Sequence, residues 1–162
     1  MTEAAALTTF LRLLTSSRYR VEGNSMAPAL TSGQYVLAAR LGGLDRWPLH
    51  RGQIVVLRQP ILKDRIFIKR IVGMPNECLG LAGNLIFIDG FRLAEPYLGD
   101  SENSYNEQER EWWLGPQEYF VLSDNRSDGR DDSRAFGYID QDSIVARVWL
   151  RYWPPVAWGK IK

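Results

Sequence analysis

The chain of 162 residues contains one cysteine, Cys78, and one histidine, His50. A lone cysteine forms no internal disulfide. No Cys/His cluster offers zinc-ligand spacing, so neither a metal nor another cofactor is expected. A single histidine also makes a Ser–His–Asp triad a poor starting point, and a hydrolase built from this chain would need a different base. Neither sign of charge is in excess: 20 Lys+Arg against 19 Asp+Glu leave a formal net charge of +1. Binding to a phosphate backbone needs a basic face, so no nucleic-acid partner is expected. Long hydrophobic runs are missing too. Stretches such as Ile54–Leu57 and Leu85–Ile88 stop after a few residues, whereas a membrane-spanning helix needs about 20 apolar residues. The chain opens Met-Thr-Glu, without the basic leader and apolar core of a secretory signal.

The remaining composition is that of an ordinary globular domain, 45% hydrophobic and 24% charged, at a length that buries a core without staples. Leu7, Phe10, Leu11 and Leu14 recur at i, i+3, i+4 and i+7, which predicts an amphipathic helix over 2–16 within an N-terminal segment 1–18. Arg12 is its sole basic residue, which favours docking on its own domain over lying on lipid. From residue 19 the pattern becomes one of strands: Tyr35–Ala39, Gln53–Arg58, Ile66–Val72, Leu85–Ile88, Tyr119–Leu122 and Ile144–Tyr152 are short and rich in β-branched and aromatic residues. Turn pairs such as Ser32-Gly33 and Pro75-Asn76 separate them, and Asp89-Gly90 between two apolar runs is a strong hairpin signal. The fold class expected is all-β, mostly antiparallel, with one N-terminal helix. One unit spans 19–153, interrupted at 99–118 by a polar loop whose Trp112 and Trp113 tuck back onto the sheet, and 154–162 form a tail. Trp149 and Trp153 are expected in the core.

Three segments carry chemistry. In Gly23-Asn24-Ser25-Met26-Ala27-Pro28 a serine sits just before a strand, with Gly23 permitting close backbone approach and Pro28 fixing φ. Such a loop can hold a hydroxyl rigidly and turn a backbone N–H to the same point; taken alone, it also reads as a simple turn. In Ile66-Phe67-Ile68-Lys69-Arg70-Ile71-Val72, strand alternation puts Lys69 on the face of Phe67 and Ile71, and Arg70 on the opposite one. Desolvation there would disfavour the ammonium, as a lysine base requires; an edge-strand lysine reaching water is the alternative. The third segment, Ser123 to Gly137, interleaves Asp and Arg directly after an apolar strand. It fails as a calcium loop. Counted from Asp124, position 12 is Ala135, and strands rather than helices flank it. Ion pairs that stiffen a loop fit better.

Together these segments resemble the type I signal peptidases, membrane-associated Ser/Lys endopeptidases, over nearly all of 19–153. Gly23 to Leu30 is similar to the family's nucleophile segment, Arg51 to Leu57 to its next strand, and Ile68 to Pro75 to its lysine segment. Asp124-Asn125-Arg126, then Asp132-Ser133-Arg134 and Gly137, resemble its final box, and Val148 to Pro154 its last strand. The first four of these, in order, are far more specific than any one of them. The resemblance implies a serine endopeptidase that removes an N-terminal leader or signal peptide, with Ser25 as nucleophile and Lys69 as general base. It also implies an oxyanion and nucleophile loop of Gly23, Asn24, Met26 and Pro28. Arg70 would pair with Asp124, and Asp132 with Arg134, with Asn125, Ser127 and Ser133 in support. No cofactor or metal is implied. The partner would be the extended leader of a precursor, with small side chains before the cut. A membrane surface or a membrane-anchored partner is a second expectation.

The sequence departs from the family in four places. Gly23 stands where some members add an oxyanion serine. Gly129 takes the place of the serine that orients the lysine, leaving Ser127 or Ser133 as substitutes. Ser123 replaces a usual glycine. The anchor that usually precedes the nucleophile is replaced by one short helix, which implies surface docking, a partner's anchor, or action on a soluble precursor in the cytoplasm. Two other functions stay open: a self-cleaving regulator of the LexA type, and a non-catalytic peptide binder.

Overall fold

The computed structural model describes residues 13, 16–40, 48–60, 64–83, 85–98, 109–127 and 131–161. Among these, strands dominate. In chain order they are β1 (Ser16–Arg20), β2 (Tyr35–Arg40), β3 (Ile54–Arg58), β4 (Ile66–Gly73), β5 (Cys78–Ala82), β6 (Leu85–Ile88), β7 (Phe91–Arg92), β8 (Arg110–Trp113), β9 (Glu118–Leu122), β10 (Ile139–Asp140), β11 (Ile144–Trp153) and β12 (Gly159–Lys160). One sheet runs β1-β2-β11-β3-β4-β9-β10, with β12 paired to β11. A smaller one runs β7-β6-β5-β8. Each of these pairings is antiparallel.

The apolar run of β3 explains why the large sheet is buried on both faces. Ile54 and Val56 enter one core cluster with Val36, Ala38, Ala146 and Val148, while Val55 and Leu57 enter another with Ile71, Val121 and Ile144. A strand without polar alternation is what double-sided burial demands. A third cluster of Val72, Leu79, Leu81, Ile86, Leu114, Phe120 and Leu122 joins the small sheet to β4 and β9. Gly73 sits at that junction, where an added Cβ would lie 2.7 Å from a Leu114 methyl and 2.8 Å from Phe120 Cβ. The Asp89-Gly90 hairpin forms as a two-residue turn, with φ of 51° and 82°, the positive values that such a turn requires.

Several expectations change. Most of helix 2–16 lies outside the described residues; Leu13 is helical. The strand region begins at Ser16, inside the expected N-terminal segment, because Ser16 to Arg20 pair residue for residue with Ala39 to Tyr35. Pairing supplies here what the polar sequence Ser-Ser-Arg-Tyr-Arg conceals. Residues 110–113 are a strand rather than loop, bonded to β5. Strand alternation then separates the two tryptophans: Trp112 is half-buried with its ring centroid 4.7 Å from that of Phe120, and Trp113 is 77% exposed. In β11, Trp149 is buried and donates its indole N–H to Ser16 Oγ at 2.9 Å, but Trp153 is half exposed. The 154–162 tail carries β12, which folds back onto β11.

Candidate active site

Ser25 lies in the connection from β1 to β2. Val21 N–H donates to the Gln34 carbonyl (2.8 Å) and Gly33 N–H to that of Val21 (2.9 Å), closing the base of the loop. Leu30 N–H reaches back to the Met26 carbonyl at 2.8 Å, and the side chains of Met26 and Leu30 are buried in the first core cluster. Glu22, Gly23 and Asn24 face solvent and Ser25 is half-buried. Gly23 has φ 76°, a backbone conformation costly for any residue with a Cβ. Pro28 is exposed. The Ser25 carbonyl accepts the Asn125 N–H at 2.9 Å, which ties this loop to the segment after β9.

Lys69 comes from the centre of the sheet. In β4 it stands opposite Val55 of β3 and is 2% exposed. Its Nζ lies 5.5 Å from the Phe67 ring centroid and donates to Ser123 Oγ at 3.1 Å. Ser123 itself is fully buried. Its N–H donates to Asp132 Oδ2 (3.0 Å) and its carbonyl accepts from Arg126 Nε (2.9 Å).

Two buried ion pairs brace this floor. Arg70 forks onto Asp124 through Nε and Nη2 at 2.8 and 2.7 Å, donates to the Gly52 carbonyl at 2.5 Å, and stacks 4.0 Å over the Tyr97 ring. Burial pushes the Asp124 carboxyl up; the Arg70 bonds and charge pull it down but do not outweigh burial. Arg134 forks onto Asp132 at 3.0 and 2.7 Å and donates to the Arg126 carbonyl at 2.7 Å. Asp132 also accepts the Arg134 N–H at 3.1 Å as the cap of α1 (Ser133–Phe136).

The two serines weighed for contact with Lys69 are placed otherwise. Ser133 Oγ accepts the Val121 N–H at 3.0 Å, and the exposed Ser127 donates to Asn125 Oδ1 at 2.6 Å. Lys69 instead donates to Ser123, which the sequence marked only as a departure from glycine. The register held the signal: Arg70 pairs with Leu122, so the residue after Leu122 stands across from Lys69.

Ser25 and Lys69 line one cleft of about 320 Å³, together with Tyr19 to Gly23 on one side and Ile66 to Ile68 on the other. A half-buried serine and a buried lysine lining one cleft, with strand residues on both walls, suit acyl transfer on an extended peptide. The model of the family "signal peptidase, peptidase S26" matches residues 1–153. The chain belongs to that family. Signal peptidase I of Bacillus caldolyticus is 32% identical over 162 residues, covering 93% of this chain and 87% of the relative. Signal peptidase IB of Staphylococcus aureus (strain COL) is 31% identical over 151 residues, covering 84% and 77%. Among solved structures, a signal peptidase I from Enterococcus faecalis V583 is similar with a TM-score of 0.53 at 28% identity, over 60% of this chain and 94% of that one. Membership makes the chain a serine peptidase of mostly antiparallel β architecture, as its motifs implied. No helix among its described residues is long and apolar enough to cross a membrane.

Proposed function

We propose that Ser25 and Lys69 are the dyad with which this serine endopeptidase cleaves a signal or leader peptide from a precursor protein. The observation that carries this reading is the shared cleft of a reachable serine and a lysine 2% exposed. Burial favours the neutral amine. That amine takes the Ser25 proton as Oγ attacks the scissile carbonyl carbon, and the carbonyl electron pair moves to oxygen. The Ser25 backbone N–H stabilises this oxyanion, with Gly23 and Asn24 shaping the approach. The intermediate collapses, the C–N bond breaks, and the Lys69 ammonium gives its proton to the leaving amine. Water then attacks the Ser25 ester, its proton again passing to Lys69; the ester C–O bond breaks, the Lys69 ammonium returns the proton to Ser25 Oγ, and the acid product leaves.

The substrate lies as an extended strand between residues 19–23 and 66–68, where the cleft takes small side chains before the cut. Arg70, Asp124, Asn125, Ser127, Asp132, Ser133 and Arg134 support the floor and the serine loop. We also propose that the chain meets precursors at a membrane surface: Trp153, Val156 and Trp158 are 50%, 95% and 68% exposed close together in sequence. Flotation with anionic phospholipid vesicles, lost in Trp158→Ser, tests that part. The proposed organisation is a peptidase unit that begins with β1 at Ser16 and runs through β11, preceded by an N-terminal segment.

The decisive experiment measures cleavage of a quenched fluorescent peptide carrying alanine at the first and third positions before the cut. Ser25→Ala and Lys69→Ala are each expected to abolish turnover. The parent rate should rise with pH as Lys69 loses its proton. Retained turnover in either variant refutes the dyad, and binding without turnover by the parent protein marks a non-catalytic relative.

A further inference from the structure

A lysine that serves as a base has a positioning problem. Four rotatable carbons separate its amine from the backbone, and the free side chain samples many rotamers. Proton transfer needs that amine within hydrogen-bond reach of one hydroxyl. Burial alone does not aim it. We propose that Ser123 is the positioning residue that aims Lys69, a role that rests on the dyad reading above.

The geometry is specific. Lys69 Nζ donates to Ser123 Oγ at 3.1 Å in a fully buried setting. Ser123 has no latitude to drift, because its neighbours hold both ends of its backbone. Its N–H is fixed by Asp132 Oδ2 and its carbonyl by Arg126 Nε. These anchors are themselves fixed. Arg134 grips both carboxylate oxygens of Asp132, and Arg126 pairs with Glu95. The chain of contacts Glu95–Arg126–Ser123–Asp132–Arg134 therefore holds Ser123 from both sides, and Ser123 Oγ meets the lysine amine. Ser133 and Ser127 are engaged with Val121 and Asn125, whereas the Ser123 hydroxyl at the end of β9 accepts from this amine.

An oxygen that accepts from Nζ favours the ammonium over the amine. Removing it has two effects at once: the amine loses its aim, and its affinity for a proton falls. The test is the pH–rate profile of Ser123→Ala in the full chain with the alanine-containing peptide. The plateau of kcat/KM is expected to drop by about 10- to 100-fold, with the acidic limb moving to lower pH. An unchanged profile overturns the proposal. So does a lower plateau with the limb unmoved, because general loosening of the floor would give that result. If Ser123→Ala does not fold, Ser123→Cys, nearly equal in volume and a poor acceptor, is read by the same two criteria. Activity surviving in Lys69→Ala refutes the dyad reading itself. A dead Lys69→Ala beside an unaltered Ser123→Ala refutes only the positioning role.

Discussion

The two walls of the cleft are built in opposite ways. The serine wall is a loop beside an edge strand, with Glu22, Gly23 and Asn24 in solvent and the Ser25 carbonyl tied to the Asn125 N–H of the other wall. The lysine wall is the centre of the large sheet: β4 lies between β3 and β9, and Lys69, Arg70, Ser123, Asp124 and Asp132 are each at most 2% exposed. The difference fits the two tasks proposed for Ser25 and Lys69. A nucleophile must meet a long substrate, so its wall has to be open to solvent. A lysine base must be dry and aimed, so its wall is dense and braced by charge pairs that cannot be rearranged singly.

The comparison can be broken most severely at the dyad. Ser25→Ala and Lys69→Met should each lower kcat by roughly 10⁴-fold or more. Both should leave Tm nearly unchanged, because neither strands a buried charge; a large loss of Tm in Lys69→Met would mean the lysine is structural. Next in size is Asp124→Asn, which leaves the Arg70 guanidinium buried without its counter-charge. It should cost about 3–5 kcal/mol, or roughly 10 °C in thermal unfolding at this chain length. A fall under 2 °C would show that the floor is not braced by charge. Gly73→Ala tests packing at the same wall. The contacts of 2.7 and 2.8 Å its Cβ would make with Leu114 and Phe120 predict a loss of about 1–3 kcal/mol in denaturant unfolding. The smallest effect is expected at Phe91→Ser on the small sheet. Phe91 is 80% exposed, so stability should stay within about 0.5 kcal/mol.

How much was legible depended on how each residue earns its place. β3, β4 and β6 were readable because burial on one or both faces writes itself into a run of Val, Ile, Leu and Phe. β1 was not, because Ser-Ser-Arg-Tyr-Arg is a polar run that gains its strand structure from pairing with β2, with Tyr19 packed against the first core cluster. β5 was hidden by Gly80, a residue type depleted in strands, which stands opposite Phe87. Trp112 and Trp113 were read as a pair because they adjoin in sequence, but a strand sends neighbours to opposite sides. At the site, Ser25 and Lys69 stood in legible motifs, as did the Arg70–Asp124 and Asp132–Arg134 pairs. The choice of hydroxyl for Lys69 was different, since Ser123, Ser127 and Ser133 are chemically alike and distinguished only by where β9 stops and α1 begins.

The sequence by itself determined the chemistry available to this protein: no cysteine pair, one histidine, no long apolar run, and a serine and a lysine in ordered motifs on a β framework. Composition and periodicity are local properties, so they survive without a fold. Tertiary structure alone decided that two residues 44 positions apart would share a cleft, that one wall would be wet and the other dry, and that Ser123 would be the hydroxyl bonded to the lysine. Those outcomes depend on strand register and on which groups water can reach, and neither exists until the sheet has closed.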